Sequence, residues 1–429
     1  NPARCAVMSY DYTVFAGTQG AMNHKKTDRL LHVVRDLRLP LIVFAEGGGG
    51  RPGDTDVAAV AGLDLTTFRD YAGLSGVAPR IAIASGRCFA GNAALFGCSD
   101  ITIATADATI GMGGPVMVKG GGLGNFRAEE IGPAARQAEN GVVDVLVANE
   151  VEAVRTAKRA LSYFQGALPN YRCADQRLLR EAVPEKRLRA YDVRRVIDLL
   201  ADVDSVLELR RAFAPGIISA LIRIGGRPMG LLANNPAHLA GAIDADGADK
   251  AARFLQLCDA FDLPVLSLCD TPGIMVGPEA ESEALVRHAS RLFLAAGSLG
   301  VPVFTLVLRK GYGLGAMAMA AGGFHAPVFT VAWPTGEFGA MGLEGAVSTG
   351  FQKELAELKD WNERQRYFEQ LVDEAYEQGK ALNMATYLEI DDVIDPAQSR
   401  DWILRGLASL PPVVGWAART SRKRMIDAW

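Results

Sequence analysis

Two matching segments constrain this chain more than any other feature. Residues 39–53 read LPLIVFAEGGGGRPG and residues 263–277 read LPVLSLCDTPGIMVG. Each is Leu-Pro, a short apolar run, one acidic residue, then a turn rich in Gly or Pro. An apolar run of that length between turn signals predicts a buried parallel strand. The turn after it bares backbone N–H groups at the carboxyl end of the strand, where open α/β sheets bind ligands. Each segment also has a downstream partner. Residues 79–100 (PRIAIASGRCFAGNAALFGCSD) are answered by 302–323 (PVFTLVLRKGYGLGAMAMAAGG), both reading as strand, glycine turn and a helix of small residues. Residues 109–113 (TIGMG) are answered by 337–342 (EFGAMG). The offsets are about 224, 223 and 228 residues. Chance similarity of Gly-rich turns does not keep three matches in order, so the expectation is an α/β fold with a duplicated domain.

Composition narrows the function. The 429 residues fit two or three domains, and 49% apolar content is ample for buried cores. The 46 glycines cluster in these turns, where positive φ or close ligand approach calls for them. A net charge of −4 carries no nucleic-acid footprint. No apolar run is long enough to span a bilayer. The cysteines (Cys5, Cys88, Cys98, Cys173, Cys258 and Cys269) sit mostly in apolar runs at no metal-ligand spacing. They read as reduced, buried thiols of a cytoplasmic protein. The opening NPARCAVMSYDY has neither an initiator Met nor a signal peptide and reads as the edge of a longer polypeptide.

Along the chain, residues 4–14 read as a strand, 15–26 as a loop, 27–37 as a helix, and 54–72 as a helix over the first turn. Strands are expected at 81–84 and 101–104, a helix from Gly91, and a mobile Gly-rich loop at 112–123. An amphipathic helix at 150–167 precedes an irregular linker, 169–190. The second copy opens with a helix at 191–213 and a hairpin, 217–224 with 228–233. A helix at 248–261, a strand at 328–333, a charged helix at 353–379 and a closing helix at 400–407 follow. The tail 419–429 reads as amphipathic, packing on a partner or on the body.

Conventional catalysts are scarce. The five histidines (His24, His32, His238, His288, His325) lie beside no paired turn in a Ser-His or Cys-His pattern. Gly86-Arg87-Cys88 lacks the frame of a nucleophile elbow, and Cys88 and Cys98 read as core. No HExxH, CxxC or carboxylate pair stands out. Residues 311–315 (GYGLG) lack the acidic residue of a dinucleotide site. Backbone remains. Two N–H groups from two turns can hold one developing oxyanion, each donor contributing roughly 2.7–4 kcal/mol to the transition state. Two copies suit a reaction in which two carbonyl oxygens gain charge in turn.

The turns also carry a family resemblance. GRCFAGNAA around Ala90-Gly91-Asn92 resembles the A-G-G turn of biotin-dependent acyl-CoA carboxyltransferases. EGGGGR at 46–51 resembles their D-S-G-G-A-R, and DTPGIMVG at 270–277 their D-T-P-G-F-x-x-G. LANNP at 232–236, YDVR at 191–194 and KGYGLGA at 310–316 resemble I-A-N-N, Y-D-V-R and K-x-Y-G-G-A. The match is in order from about residue 4 to the C-terminal helix. It is most similar to the carboxyltransferase part of a single chain that also holds biotin carboxylase and biotin carrier domains. The resemblance implies two crotonase-like β-β-α superhelical domains, residues 1–168 and 191–429. It also implies biotin on a carrier domain outside this chain, a coenzyme A thioester substrate, no metal, and a homodimer or hexamer whose sites lie between subunits.

By residue matching, it places Gly48, Gly49, Ala90, Gly91 and Asn92 on the acyl-CoA side. Gly273, Ile274, Gly313, Leu314 and Gly315 fall on the biotin side. Lys25, Lys26, Arg51, Met275 and Glu279 are the expected substrate-binding residues, and Arg80 is a further candidate for CoA phosphates. Asn92 and Leu314 stand where the family has Gly, and Ile274 where it has Phe. A decarboxylase or transcarboxylase using the same turns, and a non-catalytic acyl-CoA or carrier-binding scaffold, are the competing readings.

Overall fold

The computed structural model describes residues 4–51, 53–54, 62–411, 415–419 and 425–429. The first half builds a five-stranded parallel sheet. In chain order its strands are β1 (Ala6–Ser9), β2 (Leu41–Phe44), β3 (Arg80–Ala84), β5 (Ile101–Thr105) and β7 (Val145–Val147). Between them, β4 (Arg87–Phe89) and β6 (Thr109–Gly111) pair separately. The second half repeats this order with β10 (Arg227–Asn234), β11 (Val265–Thr271), β12 (Val303–Tyr312), β13 (Phe329–Ala332) and β15 (Asp392–Val393). The short β14 (Glu337–Gly339) pairs the far end of β12. Two antiparallel strands, β8 (Leu207–Leu209) and β9 (Ile217–Ile224), extend the sheet beyond β10.

The duplication holds at the level of register. Leu41 pairs Arg80 as Val265 pairs Val303, and Ile81 pairs Ile101 as Phe304 pairs Phe329. These pairs reproduce the offsets read from the sequence.

Alternation along the strands explains why both sheet faces are buried. Ile42, Ile81 and Ile83 face one way, Leu41, Val43 and Ala82 the other. The first set joins Leu232, Phe254, Cys258 and Phe261 of the second half in one continuous core. Polar groups tie the halves too. Asp144 pairs Arg210 Nε at 2.9 Å, and Arg253 donates to the carbonyls of Ser99 and Asp100. Within the second half, Lys250 Nζ holds the Arg210 end of this seam by donating to the carbonyls of Arg210 and Phe213, each at 2.8 Å. Burial pushes this amine down to about 7.

Several local expectations are corrected. The first long helix is Ala21–Leu37, starting before residue 27, because the Asn23 side chain accepts from Gly20 N–H and Asp54 accepts from Ala21 N–H. Within 54–72, residues 55–61 lie outside the described residues and helix is confined to Thr67–Ala72. The 112–123 loop contains the helix Pro115–Gly120, with Pro at its first position. The 191–213 helix stops at Leu200, and the alternating Leu207–Leu209 joins the sheet. The 353–379 helix is two, Gln352–Glu357 and Trp361–Gln378, with Asp360 capping the second.

Cys88, Cys258 and Cys269 are buried, whereas Cys98 and Cys173 are exposed. Cys98 follows the last turn of a small-residue helix, which leaves it at the surface. In the tail, residues 420–424 lie outside the described residues. Beyond them Ile426 bonds Ser75, and Trp429 packs on Phe213, so the tail lies on the body.

Candidate active site in two equivalent turns

The first candidate site lies where β2 and β4 end, at residues 46–51 and 89–92. The second lies where β11 and β12 end, at 270–275 and 312–315. Their likeness extends beyond the motifs. Ala16 and Ala240 both have left-handed backbone, φ 53° and 54°. Gly17 and Gly241 follow them at φ 62° and 89°. A Cβ there would lie 2.7 Å from the Glu46 carbonyl oxygen or 2.2 Å from that of Asp270. Each loop then makes one parallel bridge across its turn, Gln19 with Gly50 and Ile243 with Ile274. Gln19 N–H donates to Gly49 O at 2.6 Å, and Arg51 N–H to Gln19 O at 2.8 Å. Ile243 N–H donates to Gly273 O at 3.0 Å, and Met275 N–H to Ile243 O at 2.9 Å. In such a bridge the N–H of the middle residue points away from the partner strand. Those middle residues are Gly50 and Ile274.

Hydrogen bonding sorts the expected donors. Gly48 N–H goes to Ala16 O at 3.1 Å, Gly49 N–H to Asn92 Oδ1 at 3.0 Å, and Ala90 N–H to Gly111 O at 3.0 Å. Gly273 N–H goes to Thr271 Oγ1 at 3.1 Å. These residues build the turns and have no N–H left to offer. Among the described residues, the N–H groups of Gly50, Gly91, Asn92, Ile274, Leu314 and Gly315 make no internal hydrogen bond. Gly50 is not among the residues expected from the sequence. The offset of about 224 that sets it opposite Ile274 was the available signal.

In the second half, the turn from β12 into the following helix begins at Gly313, φ 53°, where a Cβ would strike Ala340 O. The first uses Ala90 at φ 52° in the same place, a strained conformation for a residue with a side chain.

Side chains set these turns from beneath. Asp270, fully buried, accepts from Tyr191 Oη at 2.8 Å and Lys310 N–H at 3.2 Å, and pairs Arg309 and Lys310. It ties the ends of β11 and β12 together. Glu46 occupies the matching place and accepts from Ser85 N–H; burial raises its carboxyl above the usual range. The Leu314 side chain is 61% exposed, so it projects from the turn and leaves the N–H groups open.

The expected substrate-binding residues divide. Lys25 and Lys26 are exposed on Ala21–Leu37, whose start abuts the first turn. Arg51 is half-buried, donating to Thr18 and Asn23, lying near Asp54 and stacking on Phe15 at 4.7 Å. It braces the first turn. Arg80 is buried in a bond network with Asp100, which removes it from any phosphate. Met275 is half-buried beside Ile274, and Glu279 is exposed on Pro278–Ser282.

Two crotonase-like halves with paired backbone turns at their strand ends define a carboxyltransferase architecture, and the carboxyl transferase domain model matches residues 3–410. The chain belongs to that family, and it is a carboxyltransferase. It is 31% identical over 412 residues to the methylmalonyl-CoA carboxyltransferase 12S subunit of Propionibacterium freudenreichii subsp. shermanii, covering 93% of this chain and 77% of that one. It is 31% identical over 430 residues to a propionyl-CoA carboxylase beta chain of Saccharopolyspora erythraea, covering 95% and 78%. A solved single-chain, multi-domain long-chain acyl-CoA carboxylase superposes with a TM-score of 0.88 at 58% identity. That match covers 92% of this chain and 39% of the larger one. The transcarboxylase 12S structure, a hexamer, superposes with a TM-score of 0.83 at 29% identity.

Proposed function

We propose that this chain performs the carboxyl-transfer step of a biotin-dependent acyl-CoA carboxylase. The observation that carries the reading is the pair of equivalent donor sets, Gly50 with Gly91 and Ile274 with Leu314, in a member of this family. Gly50 and Gly91 N–H donate to the thioester oxygen of the acyl-CoA. Their hydrogen bonds strengthen as the α-carbon loses its proton and charge collects on that oxygen, which is where preorganised donors act most. The enolate then attacks CO2 at the α-carbon. Biotin, when bound as its carboxylated form, supplies the CO2 and the base. Ile274 and Leu314 N–H suit its ureido oxygen, since both are donors with no acceptor competing between them.

Residues 1–168 form the acyl-CoA side, 169–190 the link and 191–429 the biotin side. Val276, Leu314 and Met341 are exposed around the second turn, and Met112, Val116 and Met117 beside the first. Apolar surface beside both turns suits burial against a second copy, with the carrier domain reaching the second turn. Lys25 and Lys26 flank the first turn as the cations for CoA phosphates.

The test is decarboxylation of carboxylated acyl-CoAs of rising chain length by this chain with free biotin. Biotin-dependent turnover with a chain-length optimum supports the reading and names the substrate class. Absence of turnover from an intact oligomer that still binds acyl-CoA sinks it in favour of a binding scaffold. The similarity to a transcarboxylase subunit favours one second reading, transfer between two acyl-CoAs. Product analysis with bicarbonate and ATP, carrier domains present, separates the two.

A further inference from the structure

The two halves fasten their donor turns differently, and the difference isolates one side chain. In the second half, Thr271 Oγ1 accepts the Gly273 N–H from two residues away. The matching position in the first half is Gly47, which has no side chain to do so. A Cβ there would lie 2.3 Å from Gly17 O and 2.4 Å from Asn92 Nδ2. Asn92 fills the role instead. It matches Gly315, whose added Cβ would lie 2.6 Å from the Gly273 backbone. Its side chain is fully buried. Oδ1 accepts from Gly49 N–H at 3.0 Å, and Nδ2 donates to Glu46 O at 3.3 Å.

We infer that Asn92 is a positioning residue, acting through its carboxamide and not as an extra donor to substrate. It pins both ends of the Glu46–Gly49 stretch to the turn that carries Gly91. This fixes where the outward Gly50 N–H lies relative to that of Gly91. Without it, Gly49 at φ 85° has a buried N–H with no acceptor, and the glycine-rich stretch has many other conformations open to it. Donors that must be in place before charge develops lose their effect when their spacing relaxes. The inference rests on the carboxyl-transfer reading.

The experiment compares wild type, Asn92→Gly and Asn92→Asp in biotin-dependent decarboxylation across pH, alongside amide exchange of the peptide containing Gly49. Wild-type turnover is measured first, so failure of the reaction itself is seen separately. Asn92→Gly should lose about 10–100-fold in kcat with the acyl-CoA KM within about twofold, at every pH. The Gly49 peptide should exchange faster. Asn92→Asp is the discriminating variant. A protonated carboxyl has one acceptor and one O–H donor, as the carboxamide does, whereas the carboxylate has no donor for Glu46 O. Its kcat should therefore approach wild type at low pH and fall as pH rises, a profile that wild type lacks. A general packing role would lower the folded fraction, in Asn92→Asp increasingly as the buried carboxyl ionises, but would leave kcat per folded molecule unchanged at every pH. Wild-type kcat in Asn92→Gly overturns the inference. So does an Asn92→Asp variant that tracks Asn92→Gly at all pH values while remaining folded.

Discussion

At the scale of single residues, the site is built from groups with no side-chain chemistry, and this changes how it can be tested. Gly50 has open space around its missing Cβ, and its N–H makes no internal bond. Gly50→Ala keeps the donor and should keep kcat within about twofold. Gly50→Pro removes the donor and no structural hydrogen bond. It should lower kcat by about 10²–10³-fold, with the melting curve little changed. Steady-state decarboxylation by the two variants checks this; equal activities would remove Gly50 from the donor set. Asn92 and Leu314 are the two turn positions at which a side chain stands where the resembled family has Gly. Asn92 is buried and braces its turn, whereas Leu314 points outward. Neither side chain covers the donors.

At the scale of elements, the strand-turn pairs were legible because they depend on local signals: apolar runs bounded by Pro and Gly. The offsets also carried the equivalence of two registers, β2 on β3 and β11 on β12. The loops of residues 15–19 and 239–243 were not legible. Their likeness lies in backbone angles and bridges, and only the Ala-Gly pairs Ala16-Gly17 and Ala240-Gly241 share identity there. In the first turn the sequence pointed to Gly48 and Gly49, whose N–H groups are bonded internally, and not to Gly50, because which N–H is already bonded depends on a crossing loop distant in sequence. The early stop of the 193–200 helix was also hidden. An alternating tripeptide chose the sheet edge over helix propensity, a tertiary decision. Gly241 joins these elements, since its left-handed φ brings the loop onto Asp270 O. Gly241→Ala should cost about 1–3 kcal/mol by urea unfolding and raise the biotin KM. Gly17→Ala should cost a similar amount and affect the acyl-CoA step instead.

At the scale of the whole molecule, the halves share a core and a buried polar seam, so their stabilities are not separable. Arg210 pairs Asp144 across that seam, and Asp144 also accepts from Thr102 N–H at 2.7 Å. Arg210→Met leaves a buried carboxylate without its cation and should cost about 3–5 kcal/mol; Arg210→Met with Asp144→Asn should cost clearly less. Equilibrium unfolding of the two variants decides this, and equal losses would show that the pair is not coupled. The way the two turns are fastened bears on the order of assembly. Thr271 lies two residues from the amide it holds, so the second turn can lock as soon as its own strand ends are set. Asn92 lies 43 residues from Gly49, so the first turn locks only once β2, β4 and the helix between them and β5 have come together. In a refolding chain the second turn can therefore be fastened before the first.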